Sequence, residues 1–196
     1  MSLALYRKYR QLRTDPQAPA RAPQVPTRTP VLAHDGGDLA AALATIEEVG
    51  DAALLRSTIA DAFGGSELCF GDGSELRLRQ PGMLRPLGVA ELSDGTLRYL
   101  LLVAALLSPR PPELLVLNEP EASLHPELYG SLAGLVAAAS AATQLIVVSH
   151  SPELVRRIEQ ARPEDYVRIE LIKELGETLV AGQGRLDRPS WRWPDR

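Results

Sequence analysis

The sequence predicts an α/β fold with a parallel sheet at its centre, and three observations predict it. Residues 114–117 and 144–149 are mainly apolar runs of strand length, the pattern of strands buried on both faces. Between them, a segment that Pro126 can open runs in helical register to about Ser140, so the two strands are joined by a right-handed parallel crossover. Upstream, residues 66–79 alternate at period two, with Leu68 and Phe70 before Asp72-Gly73 and Leu76 and Leu78 after it, as in a small antiparallel hairpin closed by a tight turn.

The remaining elements follow in chain order. Residues 1–37 read as an extended, basic and proline-rich segment, because Pro16, Pro19, Pro23, Pro26 and Pro30 are too closely spaced for a helix or a central strand. Such a segment serves as a linker or packs across a larger surface. Its Arg7, Lys8, Arg10, Arg13, Arg21 and Arg28 face a single acid, Asp15, and read as a solvated arm, with nucleic-acid contact as the other reading. Leu39, Leu43, Ile46 and Val49, then Leu54, Leu55, Ile59 and Phe63, recur at helical spacing on either side of Gly50. They predict two helices, with Asp38 and Asp51 as N-caps. After Pro86, Ser93 or Asp94 caps a third helix whose core face is Leu97, Leu101, Leu102 and Ala105. Pro152 opens a helix to about Glu159, and residues 166–172 predict a further strand. The globular part is therefore expected over residues 38–175, with residues 176–196 an irregular tail whose Trp191 and Trp193 pack locally.

At 196 residues and 45% hydrophobic content, the chain can build one sizeable core. A formal charge of −4 makes no global case for nucleic acid or an anionic membrane. Cys69 is the only cysteine, which rules out an internal disulfide, fits a core-filling role and points to a reducing, cytoplasmic compartment. The first twelve residues are too charged for a signal peptide, and no stretch approaches the ~20 apolar residues of a membrane span.

Three short sequences carry the chemistry: Leu92-Ser-Asp-Gly-Thr96, Leu114-Leu-Val-Leu-Asn-Glu-Pro120 and Val147-Val-Ser-His150. Glu119 ends a buried parallel strand, where open α/β sheets bind ligands, and a carboxylate there can act as a general base. Ser93, Asp94, Gly95 and Thr96 begin a helix, whose free N–H groups and dipole favour an anion. His150 directly follows the second strand and can donate to a phosphate while neutral near pH 7. A serine-hydrolase reading of Ser149 and His150 fails for want of a G-x-S-x-G elbow, and a zinc reading lacks H-E-x-x-H.

In this order the three sequences resemble the signature loop, Walker B strand and switch histidine of the ABC-type ATPase module shared by ABC transporters, SMC proteins and RecF-like ATPases. The wording Arg85-Pro-Leu, Glu91-Leu-Ser-Asp-Gly-Thr-Leu-Arg-Tyr99, Leu117-Asn-Glu-Pro-Glu121 and Ser123-Leu-His-Pro126 is similar to predicted bacterial AAA-type, RecF/SMC-like ATPases. The resemblance implies ATP and Mg²⁺ as cofactors, Glu119 and His150 as catalytic residues, and residues 93–96 as an ATP-binding loop that serves the site of an opposite subunit. It implies that Asn118 stands where most relatives carry a magnesium-holding aspartate, and a neutral amide should hold a hard cation less well. It further implies a D-loop with interface contacts at Ser123 and His125, a lesser Q-loop candidate in Gln80, and a homodimer or homologous subunit as partner. DNA maintenance or defence is the process it suggests, with DNA as a further partner.

One part of that module is missing from these residues. A phosphate-cradling loop reads G-x-x-x-x-G-K-[ST], but the only lysines are Lys8 and Lys173, and no glycine precedes Gly36. The expectation is therefore a partial ABC-type P-loop NTPase module, the C-terminal half of a longer ATPase, completed by a P-loop-bearing half. The alternative is a non-catalytic binding or dimerisation module, or a gene fragment, without ATPase activity.

Overall fold

The computed structural model describes residues 6–9, 12–24, 27–71, 75–162, 164, 166–174 and 176–182. The chain divides into two compact units, Met1–Arg162 and Pro163–Arg196. The first unit begins with strand β1 (Tyr6–Tyr9) and a 3₁₀ turn at Pro19–Arg21, followed by helices α1 (Leu39–Val49) and α2 (Ala52–Ala62). Strands β2 (Glu67–Phe70), β3 (Leu76–Arg79) and β4 (Leu87–Gly88) come next, and then helix α3 (Asp94–Leu106). Strand β5 (Leu114–Asn118), helix α4 (Tyr129–Ala139), strand β6 (Gln144–Val148) and helix α5 (Pro152–Ala161) complete it.

The expected parallel pair is present and has a third member. β5 lies between β1 and β6, and both pairings are parallel. The register Tyr6↔Leu114 to Tyr9↔Leu117 places the start of the basic segment in the sheet. The reading of that segment as a solvated arm is therefore corrected. Four residues with a central Arg-Lys carry no hydrophobic alternation, and their pairing becomes visible only beside β5. Downstream of β1, Leu12, Ala18, Ala20 and Leu32 are buried, and the Tyr9 hydroxyl donates to the Leu32 carbonyl at 2.8 Å. Burial pushes the Tyr9 phenol up to about 12. Pro26 and Arg10 of the same segment lie outside the described residues.

α3 is the central core helix. Every residue from Leu97 to Leu106 is buried, more than the single face that periodicity predicts, as expected of a helix apolar nearly all round. Tyr99 meets Phe63 edge-on at 5.3 Å between ring centroids. The sheet presents Leu115 and Leu117 to the core, with Leu145 and Val147 of β6 packed against it. β6 is not buried on both faces as expected: Ile146 and Val148 are 45% and 43% exposed. Its pairing with β5 covers one edge, and one face stays open to solvent.

Local chemistry mostly explains the element ends. Asp51 caps α2 by accepting from the Leu54 N–H at 2.9 Å. Asp38 does not cap α1; its carboxylate accepts from the Ala33 N–H, tying down the preceding turn. Ser93 and Ser151 cap α3 and α5. Pro126 opens a 3₁₀ turn, Pro126–Leu128, and the α-helix starts at Tyr129. The hairpin β2–β3 forms in the register Glu67↔Arg79 to Phe70↔Leu76; its Asp72-Gly73 turn lies outside the described residues.

In the second unit, the strand expected over residues 166–172 starts later. Residues 166–170 belong to no element, and β7 (Leu171–Glu174) pairs antiparallel with β8 (Glu177–Val180). Gly176, at φ +85°, lies between them in the left-handed region that glycine adopts readily. Trp191 and Trp193 lie outside the described residues.

Candidate functional site

The site is built where β5 and β6 end side by side. Asn118 is in register with Val148, and the Glu119 N–H donates to the Val148 carbonyl at 2.7 Å, extending the pairing by one residue. There the backbone turns sharply: Glu119 has φ 48°, a left-handed conformation uncommon for a residue with a Cβ. Its side chain leaves the strand end toward His150, whose Nε2 stands 3.2 Å from Glu119 Oε1. Both are open to solvent, His150 at 80% and Glu119 at 46%. A carboxylate and an imidazole in contact at the carboxyl ends of parallel strands can orient a water molecule between them.

Two residues that the sequence reading left without a role hold this pair in place. Glu121 Oε1 accepts from the Ser149 hydroxyl at 2.7 Å, the His150 N–H at 2.9 Å and the Ser151 N–H at 3.2 Å. One oxygen therefore gathers the turn that carries the histidine. Its Oε2 is buried without a hydrogen-bond partner. Arg98, buried on α3, donates from its two Nη groups to the Leu12 carbonyl at 2.7 Å and to the Glu119 carbonyl at 3.1 Å. Burial pulls the Arg98 guanidinium below its usual value, while the nearby charges of Glu121 and Glu119 act the other way. The signal for Arg98 was a lone arginine in an otherwise apolar stretch of helix, where an unpaired charge is costly. Glu121 lies in the stretch Leu117-Asn-Glu-Pro-Glu121 that carries the family resemblance, but nothing local to it points to its partners at residues 149–151.

The loop at residues 93–96 stands at the N-terminus of α3, as expected. The Ser93 hydroxyl accepts from the Thr96 N–H at 3.2 Å and lies 2.9 Å from the Thr96 hydroxyl, so both groups are engaged within the cap. A Cβ added at Gly95 would lie 2.9 Å from the Ser123 carbonyl, so only glycine fits there. Ser123 has φ 65°. Among the described residues no hydrogen bond joins this loop to Glu119 or His150 directly. The links are the Gly95–Ser123 approach and Arg98. His125 caps its own turn, with Nδ1 accepting from the Glu127 N–H at 3.4 Å, and its side chain is exposed. Gln80 follows β3 and its carbonyl accepts from the Met83 N–H.

For a metal ion the donor set is thin. The described residues contain no group of three or more His, Cys, Asp and Glu side chains able to hold one. The Asn118 amide and the Glu119 carboxylate, on consecutive residues at the strand end, suit Mg²⁺ only if phosphates and water supply most of its oxygen ligands. Two surface recesses lie elsewhere: one of about 570 Å³ between α2 and β2, lined by Leu55, Ile59 and Leu68, and one of about 400 Å³ between α2 and α4. Neither includes Glu119, His150 or residues 93–96. Ser93, Asp94 and His150 are exposed, while Gly95, Thr96, Asn118 and Glu119 are part-buried. No helix among the described residues is long and apolar enough to cross a membrane.

Comparison with known proteins bears on the family and the fold. The family described as "AAA domain, putative AbiEii toxin, Type IV TA system" matches residues 10–156. No curated protein matches. Among solved structures, an SMC head domain from Thermotoga maritima is 22% identical, with a TM-score of 0.49 over 74% of this chain and 50% of that one. A structure described under ATP-driven dimerization and DNA stimulated activation of SMC ATPases is 16% identical, with a TM-score of 0.53 over 74% of this chain and 89% of that one. The Smc head domain of Pyrococcus furiosus, with an extended coiled coil and bound to the C-terminal domain of ScpA, is 15% identical, with a TM-score of 0.51 over 70% and 35%. The last two show a likeness of fold alone, and the chain spans half or less of the length of the Thermotoga and Pyrococcus chains.

Proposed function

This chain belongs to the family of AAA domains described as putative AbiEii toxin of type IV toxin–antitoxin systems, an AAA/ABC-type, RecF/SMC-like ATPase family, and on that premise we propose that it supplies half of a composite ATP-hydrolysing site. The observation that carries the proposal is the contact of Glu119 with His150 at the ends of adjacent parallel strands. In this reading Glu119 accepts a proton from the attacking water, and His150, facing the terminal phosphate, helps place that water. The 93–96 loop offers the N-terminal amides of α3 to a nucleotide bound by a second subunit, with Ser123 and His125 at the interface between the two. Mg²⁺ bound with the nucleotide would neutralise developing phosphate charge, with Asn118 contributing an amide oxygen to its shell. The phosphate-cradling loop comes from a segment outside these 196 residues, either on the same polypeptide or on a neighbouring one.

Two measurements test this reading. The chain alone should hydrolyse ATP negligibly, because no backbone loop or lysine grips the phosphates; turnover that disappears in Glu119→Gln would overturn the missing-half reading. Joined to a P-loop-bearing segment, it should gain Mg²⁺-dependent activity that falls by about 100-fold or more in Glu119→Gln, the scale of a lost general base. Full activity in that variant would remove Glu119 from the role. The second reading, a binding or dimerisation module without turnover, is favoured by the Asn118 amide where an acid would serve Mg²⁺ better. Absence of G-x-x-x-x-G-K-[ST] in all frames of the upstream DNA would favour it. DNA maintenance or defence, with DNA as a partner, is the process in which we place such an ATPase.

A further inference from the structure

Five hydrogen bonds converge on Arg21, whose side chain is only 10% exposed. Nε donates to the Thr14 carbonyl at 2.9 Å. Nη1 is shared among the carbonyls of Val89 at 3.0 Å, Ala90 at 3.2 Å and Leu92 at 2.9 Å. Nη2 donates to Asp94 Oδ1 at 2.9 Å. A guanidinium presents five N–H groups in a rigid plane and can hold acceptors on several sides at once, which the ammonium of a lysine, a point charge, cannot reproduce.

The segment it grips leads directly into the 93–96 loop. Residues 89–91 form a single 3₁₀ turn, closed by a Leu92 N–H to Val89 carbonyl bond of 3.3 Å and by the Gly88 N–H donating to the Glu91 carboxylate at 3.0 Å, and Arg21 adds a hold on the Val89, Ala90 and Leu92 carbonyls from outside. Carbonyls gathered on one cation keep that turn closed and fix where Ser93 begins α3. Charge gives a second effect. Asp94 occupies the first turn of α3, where a carboxylate suits the helix dipole but repels any other anion arriving at the same amides. The Arg21 charge beside it offsets that repulsion.

We propose that Arg21 is a positioning residue for the 93–96 loop: it fixes the backbone entering the loop and offsets Asp94, so that the helix N-terminus can accept a phosphate group. The proposal rests on the reading of this loop as phosphate-contacting. The Pro-rich segment then has a defined purpose, since the 3₁₀ turn Pro19–Arg21 aims the side chain.

The test uses the isotope-labelled full chain, amide hydrogen exchange and titration with millimolar inorganic phosphate. In Arg21→Met, the Leu92, Thr96 and Leu97 amides should exchange about tenfold faster while those of Leu115 and Leu117 keep their rates, a loop-local opening. The phosphate response of the Gly95 and Thr96 amides should weaken by about tenfold and recover in part in Arg21→Met/Asp94→Asn, with Arg21→Lys intermediate. Wild-type exchange and phosphate response in Arg21→Met would overturn the proposal. Should Arg21→Met fail to fold, Asp94→Asn alone decides the charge effect: phosphate should bind severalfold tighter, and unchanged or weaker binding overturns it. If the wild-type amides do not respond to phosphate, the phosphate reading of the loop fails by itself. The exchange comparison then still decides whether Arg21 holds the turn.

Discussion

Glu121 and Glu91 show how single carboxylates organise the two loops that matter. Glu121 Oε1 satisfies three donors of the 149–151 turn. Glu121→Ala should therefore cost about 2 kcal/mol by denaturant unfolding, the scale of losing charge-assisted bonds and stranding part-buried donors. An unchanged midpoint would show that water replaces the carboxylate without loss. Glu91 is paired with Arg85, accepting at 2.8 Å and 2.6 Å, and also receives the Gly88 N–H at 3.0 Å. The Arg85 guanidinium, and then the Gly88 amide, hold the Glu91 carboxyl down at about 2 against an ordinary 4.5. Its contribution is complete above pH 4.5 and fades as pH falls toward about 2. The thermal stabilities of wild type and Glu91→Gln should accordingly differ at neutral pH and converge over that acid window. A gap that persists at pH 2 would contradict the ion pair as its source. Neither partner set is legible in sequence, since Arg85 and Glu91 meet across β4 and the 3₁₀ turn at residues 89–91 that follows it.

At the scale of elements, helical periodicity located α1 and α2 closely, a cap and an apolar face located α3, Pro152 marked the start of α5, and a continuous apolar run located β5. β6 exposes the limit of that signal. A run such as residues 144–148 reads as doubly buried, yet its Ile146 and Val148 face solvent while Leu145 and Val147 pack inward. The two faces should respond differently to substitution. Leu117→Ala, at 1% exposure on β5, should cost about 2–5 kcal/mol through lost burial and a residual cavity. Ile146→Thr should stay within about 0.5 kcal/mol in this chain. Equal losses in urea unfolding would mean that the outward face of β6 is covered in solution. β1 was missed for the opposite reason: a short strand at the sheet edge, with Tyr6 half exposed, has no periodicity to detect.

At the scale of the whole molecule, Ser93, Ser123, His125 and His150 are exposed, and under the proposed function the second half of the site comes from another segment or subunit. A nucleotide-dependent dimer is the assembly that the proposed function calls for. With a P-loop-bearing segment and ATP present, light scattering should show dimers that Ser93→Arg disrupts by placing a bulky cation in the shared contact. Dimers unaffected by that change would put the 93–96 loop away from the interface.

Sequence alone determined the parallel crossover, the position of Glu119 at a strand end and of His150 directly after the next, a helix N-terminus at Ser93 or Asp94 and the lack of a lysine-bearing phosphate loop. These are local properties, carried by apolar runs, caps and residue counts. Only the tertiary structure decided that Glu119 and His150 touch, that Glu121 and Arg98 hold them, and that Arg21 reaches across to residues 89–94. Those contacts join residues distant in the chain, and a charged side chain's partner depends on where folding brings the acceptor, which no local pattern encodes.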